Sequence, residues 1–218
     1  GVEPALLAQF HPLEEALSAF GFLVWPMVDL EADDALASAA HEADAAGDVD
    51  KVCIWSPDKD LAQCVKGTRV VQVDRRGGSI RDEAAVREKF GVLPASIPDY
   101  LALVGDSADG YPGIPGWGAR SAAAALSRYP HLADMPIHDP AWRPPAANAA
   151  RLAESLRSNW DQALLFLTLA TLRTDAGLFS SVEELRWKGP EPDAARVARG
   201  AGDETLEDRA KRAIAGTA

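Results

Sequence analysis

The chain has 218 residues, 47% hydrophobic and 25% charged, which excludes a disordered or fibrous polypeptide and allows one compact domain or a domain with a subdomain. No run approaches the ~20 apolar residues of a membrane-spanning helix, no secretory signal opens the sequence, and Cys53 and Cys64 form no CxxC or Cys/His metal pattern, as expected in a reducing cytoplasm. The net charge of −11 argues against a protein that holds nucleic acid by bulk positive charge, though not against one that uses local basic patches and metal ions.

Residues 4–20 place Leu6, Leu7, Phe10, Leu13, Leu17 and Phe20 near helical spacing, and read as one amphipathic helix stopped by Gly21. FLVWP (22–26) reads as a short apolar strand ended by proline. Asp29, Glu31, Asp33 and Asp34 then crowd against an Ala-rich helix over 32–46 that closes at Gly47. KVCIW (51–55) reads as a second strand, with Cys53 in the core and Trp25 and Trp55 as core residues at strand ends. SPDKDLAQCV turns from it into a short helix against which Cys64 packs; TRVVQV (68–73) is a third strand, followed by a Gly77-Gly78 turn. This alternation predicts an α/β domain over 1–82 with a mainly parallel sheet. Ligands of such sheets sit at the carboxyl ends of the strands, where both acidic clusters fall. Over 83–180 helices dominate: 83–90, 98–104, 119–129 and a long one over 149–172, with a proline-rich loop over 130–148. Residues 181–218 read as a charged helical extension. His11, His41, His131 and His138 show no ligand spacing and read as surface or turn residues.

Three stretches carry chemistry. A helix N-terminus favours acids, but each added carboxylate raises the cost of ionising the next. EADD, with Glu31, Asp33 and Asp34, therefore reads either as an over-capped helix start or as a divalent-cation site, since hard oxygen ligands suit Mg²⁺ or Mn²⁺. Asp58, Lys59 and Asp60 follow a strand, an arrangement also found in turns and D-x-D phosphatases. LVGDSADGYPGIPGWGARSAAAAL (103–126) holds Asp106 and Asp109, a glycine-rich hairpin and a helix. Together these clusters need compensating positive charge. Two divalent ions supply it, and such a pair activates a water and stabilises the leaving oxygen of a phosphodiester. The glycines Gly113, Gly116 and Gly118 let backbone approach a ligand, and the helix after them presents free N–H groups. No acid occurs from 110 to 133, while Arg120 and Arg128 are basic; this reads as a sequence-independent grip on a DNA backbone. Trp117 either touches DNA or packs. Residues 66–81 carry five basic residues against one acid, which reads as a DNA contact or a solvated edge strand.

These motifs resemble the 5′ nuclease family: bacterial 5′-3′ exonucleases, flap endonucleases and the 5′ nuclease domain of bacterial DNA polymerase I. An E-A-D-D helix start, a D-K-D turn and a G-D-x-x-D loop running into a G-x-x-G-x-G helix–three-turn–helix motif (about 103–128) appear in family order. REKFGVLPASIPDYLALVGD and LATLRTD match flanking stretches. The resemblance implies a PIN-like α/β core followed by a helical DNA-binding subdomain, and hydrolysis of DNA at 5′ ends or flaps without sequence preference. It implies two Mg²⁺ or Mn²⁺ ions held by Glu31, Asp33, Asp34, Asp58, Asp60, Asp106 and Asp109, with Asp58, Asp60 and Lys59 nearest the chemistry. It also implies a K⁺ site on main-chain carbonyls of Gly113, Ile114 and Gly116, and DNA contacts from Gly113, Ile114, Gly116, Trp117, Gly118, Arg120 and Ser121. The expected setting is the bacterial cytoplasm and nucleoid, as a monomer and away from membranes. The family's leading strand, which ends in a further metal-binding Asp, has no counterpart here. The resemblance thus implies a chain lacking the family's N-terminal third, with reduced cleavage on its own. The alternative is a structure-specific DNA-binding module with an incomplete metal site.

Overall fold

The computed structural model describes residues 2–75, 77–192, 194, 196, 197, 205, 208, 209 and 212. It has two compact units, Gly1–Leu30 with Leu178–Ala218, and Glu31–Gly177. Half of the expected helical extension over 181–218 lies outside the described residues; within them, Val182–Leu185 forms a 3₁₀ turn. Among the described residues no helix is long and apolar enough to cross a membrane.

In the first unit the single helix expected over 4–20 is two: α1 (Pro4–Leu7) and α2 (Phe10–Ala19). Pro12 explains the break. A continuous helix would need its missing N–H and would drive its ring into the Ala8 carbonyl, whereas near the start of α2 it is tolerated. Residues 22–26 are not a strand. They are held by side chains instead: Phe22 stacks on Trp187 at 6.1 Å and Trp25 on Phe179 at 6.3 Å, leaving Trp25 half-buried. The Trp187 indole N–H donates to the Phe20 carbonyl at 2.8 Å.

The second unit opens with α3 (Ala32–Ala46), closed by Gly47 in the left-handed region at φ 75°. Three strands follow, β1 (Val52–Ile54), β2 (Val70–Asp74) and β3 (Ser79–Arg81). The sheet is mixed. β1 and β2 pair in parallel, as the alternation predicts, and β3 adds an antiparallel edge after the glycine turn, where Asp74 Oδ1 accepts from the Gly77 N–H at 3.1 Å. On one sheet face Trp55 is 65% exposed and Cys53 is exposed, not in the core as the strand pattern suggested, while Val71 of β2, level with Cys53, is buried. The opposite face is covered by α3, through Ala40, Ile54, Leu61 and Val70.

The larger core belongs to the helices α4 (Glu83–Phe90), α5 (Ile97–Val104), α6 (Ala119–Leu126), α7 (Ala149–Ser158) and α8 (Trp160–Ala170). α5 runs through its centre, with Ile97, Leu101 and Leu103 fully buried against α6 and α8. Its one buried acid, Asp99, is satisfied by the Leu132 N–H at 2.8 Å and by His131 Nδ1 at 3.0 Å, which ties down the proline-rich loop. The long helix expected over 149–172 breaks at Asn159, whose side chain donates to the Ser155 carbonyl at 2.8 Å; short polar side chains compete in this way for helix backbone groups.

Candidate functional site

Seven acids lie on three segments of the second unit: the start of α3, the turn after β1 and the loop after α5. The 3₁₀ turn Asp60–Cys64 follows β1 and buries Asp60, which is 6% exposed. The Asp58 carboxylate accepts from the Asp60 N–H at 3.1 Å and so shapes the D-K-D turn. The loop after α5 closes as a bridge in which Asp106 and Tyr111 exchange main-chain hydrogen bonds at 2.8 and 3.0 Å. That bridge brings Asp106 and Asp109 to Asp60: carboxylate oxygens of the three lie within 4.8 Å of one another.

Electrostatics link this trio to the start of α3. Burial, then the charges of Asp109, Asp58 and Asp106, push the Asp60 carboxyl up to about 7. Burial, then Asp58, Glu31, Asp109 and Asp34, push Asp33 up to about 6. Each group is raised by acids of the other segments, so the clusters form one field of negative charge. Asp106 moves the other way. Burial opposes its ionisation, but the Lys59 ammonium at 2.5 Å and the Ala108 N–H at 2.9 Å outweigh it and hold the carboxyl below its ordinary range. Asp34 is engaged by main chain: one oxygen accepts from the Arg173 N–H at 2.8 Å and the other from the Glu31 N–H at 3.2 Å. Glu31, Asp58 and Asp109 are exposed.

Two buried polar atoms in this field have no protein partner, Asp60 Oδ1 and the Tyr111 hydroxyl. A donor set made only of carboxylate oxygens, one orphaned and two reluctant to ionise, suits a hard divalent cation. Tyr111 was not foreseen. Its ring stacks on Phe166 at 5.4 Å and its hydroxyl pKa is raised, first by burial and then by Asp60, Asp106, Asp109 and Asp58. No spacing rule marks a tyrosine between an acidic loop and a proline.

Three residues of the hairpin turn inward. Gly113 does serve a close approach, but to its own chain: at φ 72°, a Cβ there would sit 2.4 Å from the Gly105 N. Trp117 is 7% exposed and its indole N–H donates to the Leu152 carbonyl at 3.1 Å, so it packs and does not present itself to DNA. The Ile114 side chain is likewise buried, and its carbonyl accepts from the Trp117 N–H at 3.0 Å. Gly116, Gly118 and Arg120 instead border an open groove of about 510 Å³ at the N-terminus of α6, with Asn148 on its far side and no acid in its lining. Ser121 caps that helix start, accepting from the Gly118 N–H at 3.0 Å. Arg120 is exposed.

Comparison with known proteins places this geometry. Residues 1–91 match the family model described as 5′-3′ exonuclease, N-terminal resolvase-like domain, and residues 92–193 match 5′-3′ exonuclease, C-terminal SAM fold. The chain is 34% identical to DNA polymerase I of Pseudomonas aeruginosa over 197 residues, which are 87% of this chain and 21% of that protein. It is 33% identical to the 5′-3′ exonuclease of Aquifex aeolicus over 187 residues, 85% of this chain and 60% of that one. The chain thus spans about a fifth of the polymerase and three fifths of the exonuclease. Its fold resembles a zinc-bound T5 5′-exonuclease (TM-score 0.58, 16% identity, 88% of this chain and 61% of that one). It also resembles a bacteriophage T5 flap endonuclease in complex with DNA and metal ions (TM-score 0.57, 17% identity, 87% and 61%). With both family models matched in order and the motifs of each in place, the chain belongs to the 5′-3′ exonuclease family.

Proposed function

We propose that the acidic centre hydrolyses DNA phosphodiester bonds at 5′ ends or 5′ flaps with the help of divalent metal ions. One observation carries this reading: acids from three separate segments converge until Asp60 and Asp33 are pushed to about 7 and 6, a cost that bound cations remove. Asp60, Asp106 and Asp109 would hold one Mg²⁺ or Mn²⁺, and Asp33, Asp58 and Glu31 a second. Asp34 acts chiefly by fixing the start of α3, through the two main-chain bonds it accepts. Bound there, the ions supply an activated water and stabilise the leaving oxygen. Within the chain, Lys59 keeps Asp106 ionised and aimed into the cluster, and the carboxylates serve as ligands and not as proton carriers. Arg120 and the free N–H groups of α6 hold backbone phosphates of duplex DNA at the hairpin groove, without reading bases. A K⁺ ion on the carbonyls of Gly113, Ile114 and Gly116 would complete that grip. On this reading the chain acts as a monomer on DNA in the cytoplasm.

A second reading, a DNA-binding module with a weakly active centre, is favoured by Asp106, both of whose oxygens already have protein partners. Cleavage of a 5′-flap duplex in Mg²⁺ against EDTA, beside binding of the same duplex by anisotropy, separates the two. Mg²⁺-dependent cleavage lost in Asp60→Asn supports the nuclease. Binding with no cleavage in either metal supports the module.

A further inference from the structure

Beside the acidic centre lie two cations, Arg81 and Lys89, that neither the metal site nor the hairpin uses. Gln72 of β2 is 1% exposed, and both ends of its carboxamide are engaged: Nε2 donates to the Asp58 carbonyl and Oε1 accepts from the Arg81 guanidinium. Arg81, at the end of β3, is therefore fixed two hydrogen bonds from the main chain of the D-K-D turn. Its partner is a neutral amide, so its positive charge is not cancelled there. Lys59, within that turn, reaches Asp106 at 2.5 Å. α4 packs on β3 and carries Lys89, whose ammonium lies 4.9 Å from the centre of the Phe90 ring. Burial lowers the Lys89 pKa, and the charges of Arg81 and Lys59 lower it further, with only Asp74 opposing; the three cations therefore share one field. Lys59 is paired with Asp106, whereas Arg81 meets a neutral amide and Lys89 an aromatic ring. These two cations, on adjacent elements beside the anionic centre, are left needing an anion.

We propose that Arg81 and Lys89 form a phosphodiester-binding subsite, which takes a backbone phosphate of the DNA strand whose neighbouring bond lies over the acidic centre. The chemistry fits. A guanidinium held by one edge keeps its other N–H donors for phosphate oxygens, and an ammonium beside it adds charge without geometric demand. Gln72 is the positioning residue, because it aims Arg81 from beneath. The subsite also answers a problem of the metal-free centre, which would otherwise repel the strand it acts on.

This proposal rests on the DNA reading above, and its test keeps the two apart. Binding of a fluorescent 5′-flap duplex to the full chain is followed by anisotropy in EDTA, across a series of salt concentrations, so that cleavage and metal play no part. Arg81→Ala should weaken binding roughly three- to tenfold at 0.1 M salt and lower the salt slope by about one ion. Lys89→Ala should act in the same direction. Arg81→Lys should keep the parent's slope at intermediate affinity, which a merely structural role for Arg81 would not predict. Should Arg81→Ala fail to fold, Lys89→Ala, at an exposed position, and Arg81→Lys still decide. If the parent binds DNA and all these variants match its slope and affinity, the subsite is refuted while the hairpin grip stands. If the parent binds no DNA in EDTA, the subsite is refuted, and cleavage of the same duplex in Mg²⁺ decides the nuclease reading separately.

Discussion

Replacing Asp60 by Asn keeps the shape of the side chain and removes one charge from the most crowded point of the centre. Its carboxyl is pushed from 3.8 to about 7, which sets a ceiling of about 4 kcal/mol on the cost of ionising it in the folded chain. Relaxation and water entry lower this, so Asp60→Asn should stabilise the metal-free protein by about 2–4 kcal/mol at pH 7.5, or about 5–10 °C in Tm for a chain of this size. The folded carboxyl holds its proton more tightly than the unfolded one. The parent therefore loses stability as pH rises from about 4 to about 7, and the variant lacks this part of the loss. The gap between the two should be small at pH 4 and full at pH 7.5. Thermal unfolding in EDTA, read by circular dichroism at both values, measures it. An Asn variant that melts no higher than the parent at pH 7.5, or a gap of equal size at both pH values, refutes the argument that like charge and burial dominate this site.

Arg120→Ala should weaken binding of unrelated duplexes equally and reduce the salt dependence by about one ion, as titrations at several salt concentrations would show; a change in sequence preference would mean that Arg120 reads bases. Gly113→Ala should destabilise by more than about 3 kcal/mol, because its Cβ would meet the Gly105 backbone at 2.4 Å, while Gly116→Ala should cost only about 1 kcal/mol for its φ of 85°; urea unfolding compares them. A thiol reagent should label exposed Cys53 quickly and Cys64 only on unfolding, since burial first, and then Asp33, push the Cys64 thiol up to about 12.

The acidic centre was legible because its carboxylates lie in short local motifs, at the start of a helix, in the turn after a strand and in a loop between helices. The helices over 32–46 and 83–90 were legible for a related reason, each being bounded by a capping acid and a following glycine. What escaped depends on distant partners. The apolar run 22–26 has the composition of a strand, but among the described residues it pairs with none, and its aromatic rings find Trp187 and Phe179 far along the chain. Trp117 sits in a motif that touches ligands, yet the carbonyl it needs comes from Leu152, on a helix beyond the proline-rich loop. β3 is three residues long with a single apolar side chain, too little to show a period; Arg81 at its end acquires its place only through Gln72 on the neighbouring strand.

The central claim, that the converged carboxylates are a divalent-metal centre, is tested most directly by calorimetric titration of Mn²⁺ into the chain at pH 7.5 and pH 5.5, with Asp60→Asn alongside. Binding should be saturable at pH 7.5, at least about tenfold weaker at pH 5.5, where Asp60 and Asp33 hold protons at their raised values of about 7 and 6, and comparably weakened in the Asn variant at pH 7.5. No heat of binding up to millimolar Mn²⁺, or binding that neither the lower pH nor Asp60→Asn weakens, would contradict it.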